Sequence, residues 1–144
     1  MKIKDVLHGK ASDVVITIEP DATVRDLLRL LAEHNVGALI VSSDGTSVEG
    51  IVSERDIVRR LNEDEGVLSA PVSQIMTSDV ATCEITDEVN KLMALMTERR
   101  IRHLPVVDER GQLAGIVSIG DVVKARLSEL EQENHALSEY LTGR

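Results

Sequence analysis

The sequence predicts an α+β fold built from two β-α-β-β-α repeats related by pseudo-two-fold symmetry, with a C-terminal helical extension. Three observations carry that prediction. The stretch Gly50-Ile51-Val52-Ser53-Glu54-Arg55-Asp56-Ile57-Val58 returns as Gly115-Ile116-Val117-Ser118-Ile119-Gly120-Asp121-Val122-Val123, an offset of 65 residues. The same offset pairs Thr17 with Thr82, Val24 with Val89, Leu27 with Leu92, Leu39 with Leu104 and Val41 with Val106, so a whole half-domain is duplicated. Within each half, short β-branched runs alternate with apolar residues at helical spacing. Related halves of this kind leave paired clefts at their interface, where small molecules bind.

The elements follow in order. Val14-Val15-Ile16-Thr17-Ile18 is short and β-branched and reads as a strand, ended by the turn residues Glu19-Pro20-Asp21. Val24, Leu27, Leu28 and Leu31 fall at i, i+3, i+4 and i+7, and Thr23 with Asp26 resembles a capping pair, so a helix with one buried stripe comes next. Ala38-Leu39-Ile40-Val41 and Glu49-Gly50-Ile51-Val52 flank Asp44-Gly45 and read as a hairpin, with Ser53 where the second strand gives way to a helix. The second repeat offers a strand at Val80-Ala81-Thr82-Cys83, a helix with Val89, Leu92, Met93 and Met96, and strands over 103–107 and 113–117.

Asn62-Glu63-Asp64-Glu65-Gly66 is polar and glycine-terminated and reads as the linker, and Pro71 suits the first turn of a helix before Val72-Ser73-Gln74-Ile75-Met76. Ile3-Lys4-Asp5-Val6-Leu7 resembles that segment at an offset of 69, so each repeat has a lead-in helix and a four-residue insertion falls near Gly9 to Ser12. The expected division is a first repeat with its lead-in helix over 1–66, a second repeat over 67–127, and a C-terminal helix or tail over 128–144. In that tail Leu127, Leu130, Asn134, Leu137 and Leu141 step by three and four, as a heptad seam does. The alternative is a helix lying on its own domain.

Composition narrows the function. At 144 residues the chain can bury a core without disulfides or metals. It has no Phe or Trp and a single Tyr, Tyr140, so a bound base must rest on aliphatic walls. A formal charge of −9 with no Lys/Arg-rich run argues against nucleic acid as a partner. Cys83 stands alone, which offers neither a disulfide framework nor a Cys-containing zinc quartet and suits a reducing compartment. The first residues lack an apolar signal core and no 18 apolar residues run together, so the expectation is a cytoplasmic protein with no membrane contact. His8, His34 and His135 stand at no metal-ligand spacing, and no metal site is expected. Neither a Ser-His-Asp order nor a second acid stands beside His103, so no catalytic residue and no enzyme activity are expected.

The two strand-to-helix corners carry the binding prediction. A hydroxyl at a helix start accepts from backbone N–H groups, or shares those donors with an anion at the positive end of the helix. In Ser53-Glu54-Arg55-Asp56 and Ser118-Ile119-Gly120-Asp121 a carboxylate follows three residues later, where it can accept two hydrogen bonds from a vicinal diol such as ribose. Together they suit a nucleotide. The plain alternative is a capping box in which each Asp reaches back to its own helix start.

Gly-Ile-Val-Ser-x-x-Asp at the end of each repeat, with Arg102-His103-Leu104-Pro105-Val106-Val107 upstream, resembles a tandem pair of CBS domains over roughly residues 1 to 127. The resemblance implies a disc-like module whose central clefts bind adenine nucleotides, with Ser53, Asp56, Ser118 and Asp121 at the phosphate and ribose and Gly120 inside the second motif. Arg102 and His103 match positions that supply positive or donor groups to phosphate. The first repeat has Gly37 and Ala38 there, with Arg55 to compensate, so the cleft of Asp121, Arg102 and His103 is expected to be the richer anion site. The lead-in strands place Thr17, Val80 and Thr82 near the base. The implied function is a non-enzymatic sensor of AMP, ADP or ATP, without a catalytic cofactor, that signals through the geometry of a homodimer or an unknown effector. NAD(H) and S-adenosylmethionine carry the same adenosine and remain open, as does a ligand-free dimerisation module.

Overall fold

Why the repeats fold alike is visible in their strand registers. In the computed structural model, which describes residues 1–9 and 15–143, the chain runs α1 (Ile3–His8), β1 (Thr17–Ile18), α2 (Val24–His34), β2 (Ala38–Val41), β3 (Gly50–Ser53), α3 (Glu54–Glu63), β4 (Cys83–Glu84), α4 (Val89–Arg99), β5 (His103–Val107), β6 (Leu113–Ser118) and α5 (Ile119–Leu141). The sheets have the orders β1-β2-β3 and β4-β5-β6, each with one parallel and one antiparallel pair. Ile18 pairs with Val41 and Cys83 with Val106, while Leu39 pairs with Val52 and Leu104 with Val117. These pairs match at the sequence offset of 65. The fold is the expected α+β arrangement with a C-terminal helix.

Several elements differ from expectation. The strand expected at Val80–Cys83 begins only at Cys83. Pro105 occupies the place of Ile40, which pairs with Thr17 in the first repeat, and a proline has no N–H to give an earlier rung. The first strand spans only Thr17 and Ile18; Val14 and most of the insertion expected near Gly9 to Ser12 lie outside the described residues. The linker is structured: α3 continues to Glu63, and a 3-10 turn over Glu65–Ser69 buries Val67. The lead-in helix of the second repeat is one 3-10 turn, Val72–Gln74, with Pro71 at its N-cap instead of inside it. Leu28 is exposed, so the buried stripe of α2 is Val24, Leu27 and Leu31.

The lead-in segments are exchanged between the repeats. Ile3 and Val6 of α1 are buried with Cys83, Val89, Leu92, Met96, Leu104 and Val117 of the second repeat. Val67, Val72 and Ile75 complete the first core, around Ile18, Leu27, Val41 and Val52. Backbone bonds fix the exchange, from Ile3 N–H to Asp87 O at 2.9 Å and from Val72 N–H to Ala22 O at 2.7 Å. Little room is left where each segment crosses the closing strand. A Cβ on Gly50 would stand 2.7 Å from Met76 Sδ and 2.9 Å from Thr77 O, and one on Gly115 would stand 2.8 Å from Leu7 Cδ2.

Local chemistry sets the element ends. Thr23 and Asp26 form the expected capping box, with Thr23 N–H donating to Asp26 Oδ2 and Asp26 N–H to Thr23 Oγ1, both at 3.1 Å. In the β2–β3 loop Asp44 Oδ1 accepts from Thr46 N–H at 2.9 Å and Ser47 N–H at 2.8 Å, which holds its carboxyl far below the usual carboxylate range. Helices α2 and α4 both end on a left-handed residue, Asn35 at φ 51° and Arg100 at φ 55°. The start of α5 packs on α4 and buries Val122 and Ala125, whereas residues 131–143 are exposed throughout.

Candidate functional site

The two corners fold as their sequence dictates. Ser53 caps α3: its N–H donates to Asp56 Oδ2 at 2.8 Å, its hydroxyl to the same oxygen at 3.1 Å, and Asp56 N–H returns a bond to Ser53 Oγ at 3.4 Å. Ser118 caps α5 in the same way, with Ser118 N–H to Asp121 Oδ2 at 2.9 Å and Asp121 N–H to Ser118 Oγ at 3.1 Å. The capping-box alternative therefore describes both corners. The box also fixes each carboxylate at the end of its strand, a preset geometry for a diol. The next N–H of each helix reaches across to the residue before the neighbouring strand, Glu54 N–H to Gly37 O at 3.0 Å and Ile119 N–H to Arg102 O at 2.8 Å.

A cleft of about 540 Å³ opens at the first corner. The first repeat contributes Gly37, Ala38, Ile51, Ser53, Glu54, Arg55, Asp56, Val58 and Arg59 to its walls, and Thr77 follows from the connecting segment. The second repeat closes it with Arg100, Ile101, Arg102 and His103. Both repeats thus build one site. Four of the chain's 16 Lys and Arg residues stand around this cleft against two carboxylates, Glu54 and Asp56, although the whole chain carries −9. Such a concentration of guanidinium groups between low-dielectric walls attracts anions, and the planar fork of arginine suits phosphate.

Arg102 and His103 stand between the two corners. Both line the cleft of Ser53 and Asp56, while Arg102 O accepts from Ile119 N–H and His103 pairs with Ser118 at the corner of Asp121, with which the sequence grouped them. The missing side chain at Gly37 leaves room for His103 on the first side. The His103 ring lies in the space it leaves, so close that a Cβ on Gly37 would stand 3.4 Å from His103 Cε1. Gly37, Ala38 and Arg55 join them in this cleft. Ser118, Gly120 and Asp121 form the second corner and are not part of it; nor are half-buried Thr17 and Val80 or exposed Thr82. At the offset of 65, Arg55 and Arg59 correspond to Gly120 and Lys124, and Gly37 and Ala38 to Arg102 and His103, so the two corners draw their cations from different positions.

Sequence reasoning missed Arg59, Arg100, Glu54 and Thr77. Arg59 lies one turn after Arg55 on α3, and that i, i+4 spacing was a legible signal. Arg100 adopts the left-handed conformation, which costs an ordinary side chain roughly 1 kcal/mol and which asparagine fills at the matching position 35.

Two duplicated halves, exchanged lead-in segments and a shared cleft at capped helix starts define a tandem-repeat ligand-binding module. The CBS domain model matches residues 3–63 and 72–128, and the chain belongs to the CBS-domain family as a tandem pair. It is 38% identical over 149 residues to the mitochondrial CBS domain-containing protein CBSX3 of Arabidopsis thaliana, covering 98% of this chain and 72% of that protein. The crystal structure of the CBS-domain containing protein ATU1752 from Agrobacterium tumefaciens superposes with a TM-score of 0.81 at 41% identity, over 88% of this chain and 99% of that one. The CBS domain protein PAE2072 from Pyrobaculum aerophilum, complexed with AMP, gives 0.78 at 30% identity, over 92% and 99%. The CBS domain pair of protein MJ0100, in complex with 5-methylthioadenosine and S-adenosyl-L-methionine, gives 0.77 at 25% identity, over 87% and 98%. Among the described residues no helix is long and apolar enough to cross a membrane, and no group of three His, Cys, Asp or Glu side chains is placed to hold a metal ion.

Proposed function

We propose that this chain is a non-enzymatic sensor of phosphate-bearing adenosine compounds, of the AMP, ADP and ATP class, bound in the cleft of Ser53 and Asp56. The observation that carries this reading is the set of four arginines and His103 drawn from both repeats around one capped carboxylate. Asp56 accepts from the ribose hydroxyls. Ser53, the N-terminus of α3 and the guanidinium groups of Arg55, Arg59, Arg100 and Arg102 take the phosphates. Ile51, Val58 and Ile101 supply aliphatic walls for the base, in a chain that has no Phe or Trp. The AMP complex of a 30% identical relative supports the adenosine class.

NAD(H) also brings phosphates and is the second reading. S-Adenosylmethionine fits this cleft less well, because its sulfonium would meet four guanidinium groups. A ligand bridging Asp56 on one repeat and Arg100, Arg102 and His103 on the other favours one relative setting of the halves. Different ligands then stabilise different settings, which is the thermodynamic requirement for a signal. The signal passes through a homodimer or to an effector protein.

Thermal unfolding with AMP, ADP, ATP, NAD(H) and S-adenosylmethionine tests this reading. A ligand at 100 times its dissociation constant adds about 2.7 kcal/mol, a midpoint rise of about 5–10 °C for a chain of this size. A rise with a phosphate-bearing ligand and none with S-adenosylmethionine is the expected result. No rise with any of them, in protein free of co-purified nucleotide by its absorbance at 260 nm, refutes it in favour of a ligand-free interaction module.

A further inference from the structure

The helix α5 runs on for 23 residues, yet its buried side chains are confined to Val122 and Ala125 near its start. Beyond them the apolar residues form one exposed stripe: Val123 is 43% exposed, Leu127 56%, Leu130 43%, Leu137 56% and Leu141 74%. Their steps of four, three, seven and four are those of a heptad seam, with Asn134 in the gap. The reading in which this segment lies on its own domain fails, because residues 131–143 are exposed throughout. A single exposed leucine needs no explanation, whereas a continuous exposed stripe does.

We propose that this stripe pairs with the same stripe of a second copy of the chain, as a parallel two-stranded coiled coil over residues 123–141. Charge decides both the partner and the direction. In the heptad, Leu127, Asn134 and Leu141 take a positions and Val123, Leu130 and Leu137 take d positions. Arg126, Glu133 and Tyr140 then stand at g, and Lys124, Glu131 and Ser138 at e. A parallel pair sets each g residue near the e residue five positions on in its partner. That brings Arg126 to Glu131 on both sides of the seam, leaves Glu133 beside Ser138, and places Asn134 opposite Asn134.

The antiparallel register that overlaps the whole seam does the opposite. It sets Glu131 against Glu131 and Glu133 against Glu133, and presses Asn134 onto Leu130, where its amide finds no partner. Arg126 already donates to Glu129 of its own chain at 3.2 Å, and its remaining N–H groups are enough for a second carboxylate. Although the seam is less than three heptads long, the folded start of α5 on α4 has already met the nucleation cost of the helix.

Site-directed crosslinking of the full chain, read beside its sedimentation profile, tests the proposal. Mild oxidation of the Asn134→Cys variant should yield a disulfide-linked dimer as the main product, while the wild type, whose Cys83 is buried, yields none. Arg126→Glu should weaken dimer formation about tenfold, and adding Glu131→Arg should restore it. Failure of Asn134→Cys to crosslink, or a Leu137→Lys variant that sediments as the wild type does, overturns the parallel seam. Ligand-dependent thermal shifts of the same variants report separately on the nucleotide cleft.

Discussion

His103 of the second repeat rests against the backbone of Gly37 of the first, with its Cε1 3.4 Å and its Nε2 3.5 Å from where a Cβ on Gly37 would lie. The same Cβ would stand 3.1 Å from Glu54 Oε1. The two halves of the chain therefore meet at the cleft wall with no room to spare. Gly37→Ala should weaken binding of an adenine nucleotide slightly, and Gly37→Val by about 1–3 kcal/mol, the usual cost of overpacking a filled site. Calorimetric titration with ADP measures both. A Gly37→Val protein that folds and binds like the wild type would show that the His103–Gly37 contact lies away from the ligand.

Affinity should depend on phosphate number and on salt. With Arg55, Arg59, Arg100 and Arg102 around one cleft, ATP and ADP should bind more tightly than AMP, and all three more tightly than adenosine. Arg102→Ala should cost the phosphate-bearing ligands about 1.5–3 kcal/mol, the value of a hydrogen bond to a charged group, and adenosine little. Raising ionic strength should narrow the difference. Equal affinities for adenosine and ATP in a competition titration would remove the arginines from the site.

The exchanged lead-in segments predict unequal costs at two matching glycines. Gly50 is closed by the backbone oxygen of Thr77 and the side chain of Met76, whereas Gly115 is closed only by the end of the Leu7 side chain. A backbone atom cannot swing aside and a leucine tip can. Gly50→Ala should destabilise by about 1–3 kcal/mol, and Gly115→Ala by less than about 1 kcal/mol. Urea denaturation of the two variants makes the comparison, and a larger loss for Gly115→Ala would contradict the packing described.

Burial pushes the Cys83 thiol up to about 12, with the nearby Asp87 carboxylate adding to the effect. The folded value lies above the unfolded one of about 8.5, so the stability this group contributes is complete below the unfolded value and is lost as pH rises toward the folded one. Cys83 should resist a thiol reagent at pH 8 in the native protein and react on unfolding. Rapid labelling of the native chain would show that β4 opens easily.

Much of this fold was legible because the duplication repeats every packing constraint. The offset of 65 residues anticipated the matching strand pairs Ile18–Val41 and Cys83–Val106, and Ser-x-x-Asp anticipated both capped corners. Three features were not legible, each because it depends on contacts far apart in sequence. The strand at 80–83 shortened because Pro105, more than twenty residues away, withholds a rung. The exchange of lead-in segments is invisible in a repeat whose halves look self-contained. Arg102 and His103 were grouped with Asp121 through the family resemblance, and that both also line the cleft of Ser53 and Asp56 depends on the empty side of the distant Gly37.

The central claim is that the arginine-lined cleft of Ser53 and Asp56 holds the nucleotide. Calorimetric titration of ADP into the wild type, Asp56→Ala and Asp121→Ala tests it most directly. The account predicts that Asp56→Ala weakens the tightest binding step by about 1.5–3 kcal/mol through the lost ribose bonds. Asp121→Ala should leave that step within a factor of about three, although it removes the carboxylate half of the matching capping box at a stability cost of about 1 kcal/mol. The reverse pattern, with binding lost in Asp121→Ala and intact in Asp56→Ala, would contradict the account and move the nucleotide to the second corner.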